Sequence, residues 1–207
     1  MLRDEEGGRA VNLLPSETPQ DIYTDVAKRT TELLQQENTV LATELLNIGV
    51  CRKICKRPVM IVPYSGTQHS CRDYILEALE DKCKGKNPWG DDFWKAATYL
   101  AKFVWQAINE VIISAHTVMD YIKSIAKLYS KQDKPFEWVT PTGLLVRQAY
   151  SNTKKLRIDT HLCGSTVKLN YRKPIENSID SRKSVSGSSP NFTHSLDAAA
   201  LTLTVDK

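Results

Sequence analysis

The hydrophobic period of this chain changes at Pro135, and that change constrains its fold more than any other feature. Before Pro135 the apolar residues recur at helical spacing; in the segments that follow it they alternate. Thr18-Pro19-Gln20-Asp21 offers an N-cap, a proline at the first helical position and a first-turn acid. It predicts a helix from Pro19 to about Gln36, with Ile22, Val26, Leu33 and Leu34 turned inward. Leu41 to Ile48 reads as a second helix ending near Gly49, and Cys71 to Asp81 as a short one with Tyr74, Ile75, Leu76 and Leu79 apolar. From Phe93 to Tyr129 the helical pattern is continuous. It would run ~55 Å unbroken, so a bend or break is expected near Asn109. Gly7 to Pro15 and Lys82 to Asp91 read as loops, with Asp91 or Asp92 capping the long helix.

Beyond Pro135, Glu137 to Tyr150 alternates around the turn signal Thr140-Pro141-Thr142-Gly143. Leu156 to Leu162 and Val167 to Tyr171 form a second candidate hairpin across Cys163-Gly164-Ser165-Thr166. On its first strand Leu156, Ile158, Thr160 and Leu162 share one face, leaving Arg157, Asp159 and His161 on the other; Lys168, Asn170 and Arg172 are the polar set of the returning strand. Ser184 to Ser189 reads as a flexible bend, Pro190 to Ser195 as a polar cluster, and a last helix starts at Leu196. The expected fold is α+β and mostly helical, with a helical part over 1–135 and a hairpin part over 136–207.

At 207 residues the chain can bury a real core. No stretch approaches the ~20 consecutive apolar residues of a membrane-spanning helix, and the start Met1-Leu2-Arg3-Asp4-Glu5-Glu6 has neither the apolar core of a signal peptide nor a transit-peptide composition. A cytoplasmic protein, without a membrane partner, is expected. Five cysteines, Cys51, Cys55, Cys71, Cys83 and Cys163, form no CxxC pair and read as free thiols. Cys51 and Cys55 near His69 lack a fourth ligand at a useful spacing for zinc. The formal net charge is only +4, but Arg147, Lys154, Lys155, Arg157, Lys168, Arg172 and Lys173 lie in a stretch whose one acid is Asp159. That local asymmetry points to a polyanion more than the total does.

The residues that carry chemistry form a row at four-residue spacing: Arg52, Lys56, Met60 and Tyr64. On a helix such a row drifts only ~40° per step. Two cations suit a polyphosphate, and the apolar pair beyond them suits a base and sugar, the shape of a nucleoside triphosphate site. An ordinary solvated face with Met60 and Tyr64 in the core has the same spacing. Pro58 fits a helix if it sits in the first turn, with Arg52 before it, and Pro63 fits a kinked end. The hairpin is equally two-sided in meaning: a ribbon that enters the major groove of DNA, with Arg reading guanine and Asp or Asn reading amino groups or adenine, or an exposed hairpin carrying solubilising charge.

Arg52 to Met60 followed by Tyr64 resembles motif B of the single-subunit DNA-directed RNA polymerases of bacteriophages and mitochondria. Further blocks follow that family's order. Leu2-Arg3-Asp4 with Gly7 to Leu13 is similar to the segment after motif A. Trp138-Val139-Thr140-Pro141 with Gly143 and Tyr150 resembles the strand pair before the promoter specificity loop, and Pro190 to Asp197 resembles the block before motif C. A family A DNA polymerase shares the Arg, Lys and Tyr but usually has an aromatic residue where Met60 stands. One departure is Ser65, where the family usually has Gly; either the backbone there needs no positive φ, or the bend has moved to Gly66.

The resemblance implies a right-hand polymerase fold, with fingers helices before residue 136 and palm and specificity-loop hairpins after it. It implies that Lys56 binds the triphosphate and supports charge and proton movement at the leaving pyrophosphate, and that Arg52 grips the outer phosphates. Tyr64 would stack near the base beside Met60 and, with His194, sense the ribose 2′-hydroxyl. The hairpin would read promoter DNA, with Lys154, Lys155, Arg157, Asp159, Lys168 and Arg172 as its contacts. The implied partners are ribonucleoside triphosphates, double-stranded promoter DNA and the RNA–DNA hybrid, bound by a monomer. The implied cofactor is Mg²⁺ held by two aspartates outside this chain, one in a motif before Met1 and one after Lys207, so the chain alone is expected to make no RNA. The competing expectation is a non-catalytic nucleic-acid-binding or regulatory module that keeps the polymerase surface.

Overall fold

The computed structural model describes residues 4–83 and 88–205. It is α+β and mostly helical, with two separate two-stranded antiparallel sheets. The chain divides into two compact units, residues 1–119 and 120–207. The shift of period after Pro135 coincides with the first strand, whereas the units divide inside a helix.

The first unit opens with α1 (Glu5–Ala10), where the sequence predicts a loop; Gly8 and Val11 N–H groups close the turn on Asp4 and Gly7 carbonyls, and no helix continues to Pro15. The next helix, α2 (Ile22–Gln35), starts later than the Thr18 capping signal predicts. The reason is Asn12, whose side-chain amide donates to the Gln20 carbonyl at 2.8 Å and accepts from the Gln20 N–H at 2.7 Å. That pairing satisfies Gln20 outside the helix, and Asp21 becomes the N-cap instead, accepting from the Tyr23 N–H. α3 (Val40–Ile48) is capped by Thr39, whose hydroxyl accepts from the Ala42 N–H at 3.2 Å. α4 (Arg52–Met60) carries the cationic row, and α5 (Gln68–Cys83) extends past both expected ends. Of the expected loop after α5, residues 84–87 lie outside the described residues, as do Met1, Leu2 and Arg3 of the first family block.

α6 (Phe93–Val111) and α7 (Ile113–Lys131) divide the predicted long helix at Ile112, close to the expected break. Asp92 stands at the N-cap of α6, but its carboxylate makes no capping bond and pairs with Lys95 at 2.6 Å. α6 is the spine of the unit: Ala96, Ala97, Leu100, Val104, Ala107 and Ile108 are fully buried, and α2 and α5 pack on it. α4 fills the space between α2 and α5 with Ile54, Cys55, Pro58 and Val59. Pro58 is therefore inside α4 and not in its first turn. It forfeits the bond to the Ile54 carbonyl, and burial of its ring in the core offsets the loss.

Cys55 and Cys71 lie in this core, and burial pushes both thiols up to about 12. Unfolded thiols ionise near 8.5. Above that pH the unfolded chain binds fewer protons than the native one, so stability falls as pH rises, until the native thiols themselves ionise. Each thiol should cost about 1.4 kcal/mol per pH unit between roughly pH 9 and 12. Urea unfolding of the chain at pH 7, 9 and 10 should show this slope, and Cys55→Ala should reduce it; an unchanged slope would mean Cys55 does not titrate through unfolding.

The second unit holds the C-terminal part of α7, where Ile122, Ala126 and Ser130 are buried, then β1 (Phe136–Val139) and β2 (Leu145–Gln148), paired Phe136 to Gln148 and Val139 to Leu145. β3 (Ser151–Leu162) and β4 (Ser165–Ile179) form a longer ribbon than the sequence predicts. Its turn is the pair Cys163-Gly164, with φ of 48° and 79°, as the type I′ geometry of a two-residue hairpin requires. α8 (Ser181–Val205) overturns the predicted bend at Ser184 to Ser189, which is helical throughout. Its small residues allow close packing: Ser184, Ser188 and Ser189 are buried, and a Cβ on Gly187 would come within 3.0 Å of the Tyr150 ring. Gln148 fixes the contact by donating to the Ser184 carbonyl at 2.6 Å and accepting from the Asn191 amide at 3.0 Å. No helix of the described residues is long and apolar enough to cross a membrane.

Candidate nucleotide and nucleic-acid interface

The buried and exposed sides of α4 separate the two meanings of the four-residue row. Ile54, Cys55, Pro58 and Val59 face the core, while Arg52, Lys56 and Met60 are exposed on the other side. Tyr64 comes next on a 3-10 turn (Val62–Tyr64) and is also exposed. Met60 and Tyr64 are 47% and 44% exposed, so the row is a surface and not core packing.

The other cations of this helix are engaged by acids of neighbouring helices. Arg52 pairs with Asp21 at 2.6 Å, Lys53 with Asp81 at 3.6 Å, and Arg57 with Glu77. Lys56, in the middle of the row, has no acid beside it among the described residues. A long cation left unpaired between paired neighbours is available to a ligand phosphate. Arg52 also borders a cleft of about 420 Å³ that Thr24, Lys28, Thr31 and Gln35 line from α2.

The turn that carries Tyr64 resolves the Ser65 departure. The Gly66 N–H bonds the Ile61 carbonyl at 2.9 Å and the Ser65 N–H bonds the Val62 carbonyl at 3.2 Å, which is the Schellman pattern of a helix end. Its left-handed position is Ser65 itself, with φ 60° and ψ 32°. A positive φ is thus required at the residue after Tyr64, and the bend has not moved. Gly66 is needed for a different reason: a Cβ there would lie 2.7 Å from the Ile61 carbonyl oxygen. The Ser65 hydroxyl is buried and has no hydrogen-bond partner among the described residues. Ser65→Gly removes the left-handed strain and the orphaned hydroxyl together and should stabilise the chain by about 1–2 kcal/mol. Gly66→Ala should destabilise it by about 1–3 kcal/mol through the clash. Thermal and urea unfolding of the two variants should move in opposite directions; a common direction would contradict this reading of the turn.

In the second unit the ribbon register sorts the charged residues by face. Lys155 stands opposite Arg172, Arg157 opposite Asn170, and Asp159 opposite Lys168, so these six share one face with His161 and Thr166. Lys154 stands opposite Lys173 and falls on the other face, with Leu156, Ile158, Leu169 and Tyr171. Five of the six sequence-predicted contacts therefore lie together and Lys154 does not. His194 is exposed on α8, one residue before Ser195, whose hydroxyl accepts the Trp138 indole N–H at 2.9 Å. Phe192 packs on the Trp138 ring with centroids 5.8 Å apart. The helix that presents His194 is thereby tied to β1.

Sequence reasoning missed Asp21 and Tyr23 as partners of Arg52. The guanidinium of Arg52 lies over the Tyr23 ring, 5.0 Å from its centroid, while its Nε donates to Asp21. The Thr24 hydroxyl, and then Arg52, hold the Asp21 carboxyl below its ordinary range. Among the described residues, no group of three or more His, Cys, Asp or Glu comes together to hold a metal ion.

A family model for DNA-dependent RNA polymerase matches residues 1–207. The DNA-directed RNA polymerase of Enterobacteria phage K11 is 34% identical to the chain over 247 residues, covering 99% of the chain and 27% of the relative. T7 RNA polymerase of Escherichia phage T7 is 35% identical over 249 residues, covering 99% of the chain and 28% of the relative. A mitochondrial DNA-directed RNA polymerase of Mus musculus is 31% identical over 208 residues, covering 98% of the chain and 16% of the relative. The chain thus spans less than a third of the length of these relatives.

Proposed function

Because this chain belongs to the DNA-dependent RNA polymerase family, in its phage-type single-subunit branch, we propose that it is the nucleotide-selecting and promoter-contacting part of an enzyme that transcribes DNA into RNA from ribonucleoside triphosphates. The observation that carries the reading is the exposed row on α4, with Lys56 unpaired among the described residues while its cationic neighbours are held by acids. Lys56 binds the triphosphate and offsets charge at the departing pyrophosphate, and Arg52 grips the outer phosphates. Met60 and Tyr64 supply the apolar surface for base and sugar. The resemblance to the family assigns the sensing of the 2′-hydroxyl to Tyr64 and, separately, to His194. The polar face of the ribbon, from Lys155 to Arg172, contacts promoter DNA.

In this proposal the magnesium ions of such an enzyme are held by two aspartates outside this segment, as the resemblance to the family implies. Cytoplasmic location and action as a monomer complete the proposal, with promoter duplex and RNA–DNA hybrid as the macromolecular partners.

The test is equilibrium binding of ATP to the chain, with inorganic tripolyphosphate as competitor and Lys56→Ala as control. Binding that tripolyphosphate displaces, and that Lys56→Ala weakens at least about tenfold, is the expected result for a charge-assisted phosphate contact. Binding indifferent to both would move the nucleotide site off α4, leaving the ribbon and its DNA contacts as the reading to pursue.

A further inference from the structure

Arg52 and Arg57 of α4 are each paired with an acid and lie over an aromatic ring, Tyr23 and Tyr74, but Arg57 meets Glu77 through a terminal nitrogen whereas Arg52 meets Asp21 through Nε. The Arg52 Nε, the inner edge of the guanidinium, donates to the Asp21 carboxylate at 2.6 Å, while the plane rests over the Tyr23 ring at 5.0 Å. This leaves the outer edge of the guanidinium, with its two terminal nitrogens, for a bidentate acceptor such as two oxygens of a phosphate. Both parts of the clamp are themselves fixed. Asp21 is the N-cap of α2 and accepts from the Tyr23 N–H at 3.3 Å and the Thr24 hydroxyl at 2.6 Å. Tyr23 packs against the hydrophobic core.

We propose that Asp21 and Tyr23 are positioning residues that preorganise Arg52 for a nucleoside triphosphate, a role that rests on reading the α4 row as the triphosphate site. An arginine has several rotatable bonds, and ordering it at the moment of binding subtracts from affinity; a clamp already in place removes that subtraction. The arrangement is costly in bare electrostatics, because an acid beside an anion site repels the ligand. Capping α2 does not require Arg52, since Ser or Asn caps equally well. What Asp21 adds to a Ser or Asn cap is a carboxylate that reaches the Arg52 Nε.

The variant that separates these roles is Asp21→Ser, which retains a capping oxygen for α2 but is too short to hold the guanidinium. With tripolyphosphate as the probe, Asp21→Ser should weaken binding by about two- to tenfold, the loss that ordering one long side chain imposes. The same substitution in an Arg52→Ala background should have no further effect. Tyr23→Phe, which keeps the ring, should bind as the unsubstituted chain does, and Tyr23→Leu more weakly. Unchanged or tighter binding in Asp21→Ser, with Arg52→Ala still weakened, overturns positioning and leaves the triphosphate reading of the row intact. Equal losses from Asp21→Ser with and without Arg52 make Asp21 a structural cap and also overturn the proposal. Arg52→Ala binding as tightly as the unsubstituted chain overturns both readings together.

Discussion

In a polymerase that carries this segment, Lys56→Ala should lower the rate of ribonucleotide addition by about 10²–10³, the scale on which one preorganised electrostatic donor acts on a developing charge. The expectation comes from the pairing pattern on α4. Lys53 and Arg57 are engaged with Asp81 and Glu77, and Arg52 is clamped by Asp21, so their charges are partly spent within the protein. Lys56 alone in that set meets no acid among the described residues. Because the negative charge at the leaving pyrophosphate grows in the transition state, the loss should appear in the rate at saturating nucleotide more than in the half-saturating concentration. Lys56→Arg keeps the charge but places a planar fork where a point charge stood, and should recover only part of the rate. Single-turnover extension of a primed template measures all three; a fall below tenfold for the alanine variant removes Lys56 from the reacting groups.

The helical half was legible because its signal is local. The inward set of α2, the apolar face of α6 and the break near Asn109 all come from spacing, and the ribbon faces come from alternation. What escaped was decided by distant partners. Thr18 reads as a cap, yet the Asn12 amide satisfies Gln20 and hands the cap to Asp21. Ser184 to Ser189 has the composition of a flexible bend, but in contact with Tyr150 and Gln148 those small residues let a helix approach closely. Pro58 is poor for a helix interior until its ring is buried between α2 and α5. The row Arg52, Lys56, Met60, Tyr64 was visible from spacing alone, whereas the clamp on Arg52 was not, because Asp21 lies far away in sequence and carries no signal of its own beyond capping.

The second large effect should come from the ribbon. Its register puts Arg157 beside Asn170 and Asp159 beside Lys168 on one face, and Lys154 on the other. Substitution of a base-reading residue and of one that acts through long-range charge have different signatures. Arg157→Ala should cost about 1–3 kcal/mol on the preferred duplex and relax discrimination at one base pair. Arg157→Ala combined with Lys168→Ala should lose affinity by about 10²-fold or more on that duplex, with a much smaller loss on scrambled DNA. Lys154→Ala, on the other face, should act through long-range charge and weaken both duplexes by the same modest factor. Competition binding of the polymerase to promoter and scrambled duplexes at two or more salt concentrations separates these cases. Equal losses on both duplexes from Arg157→Ala and from Lys154→Ala would make the ribbon a non-specific electrostatic surface, since only contact with base edges distinguishes one face of a two-stranded ribbon from the other.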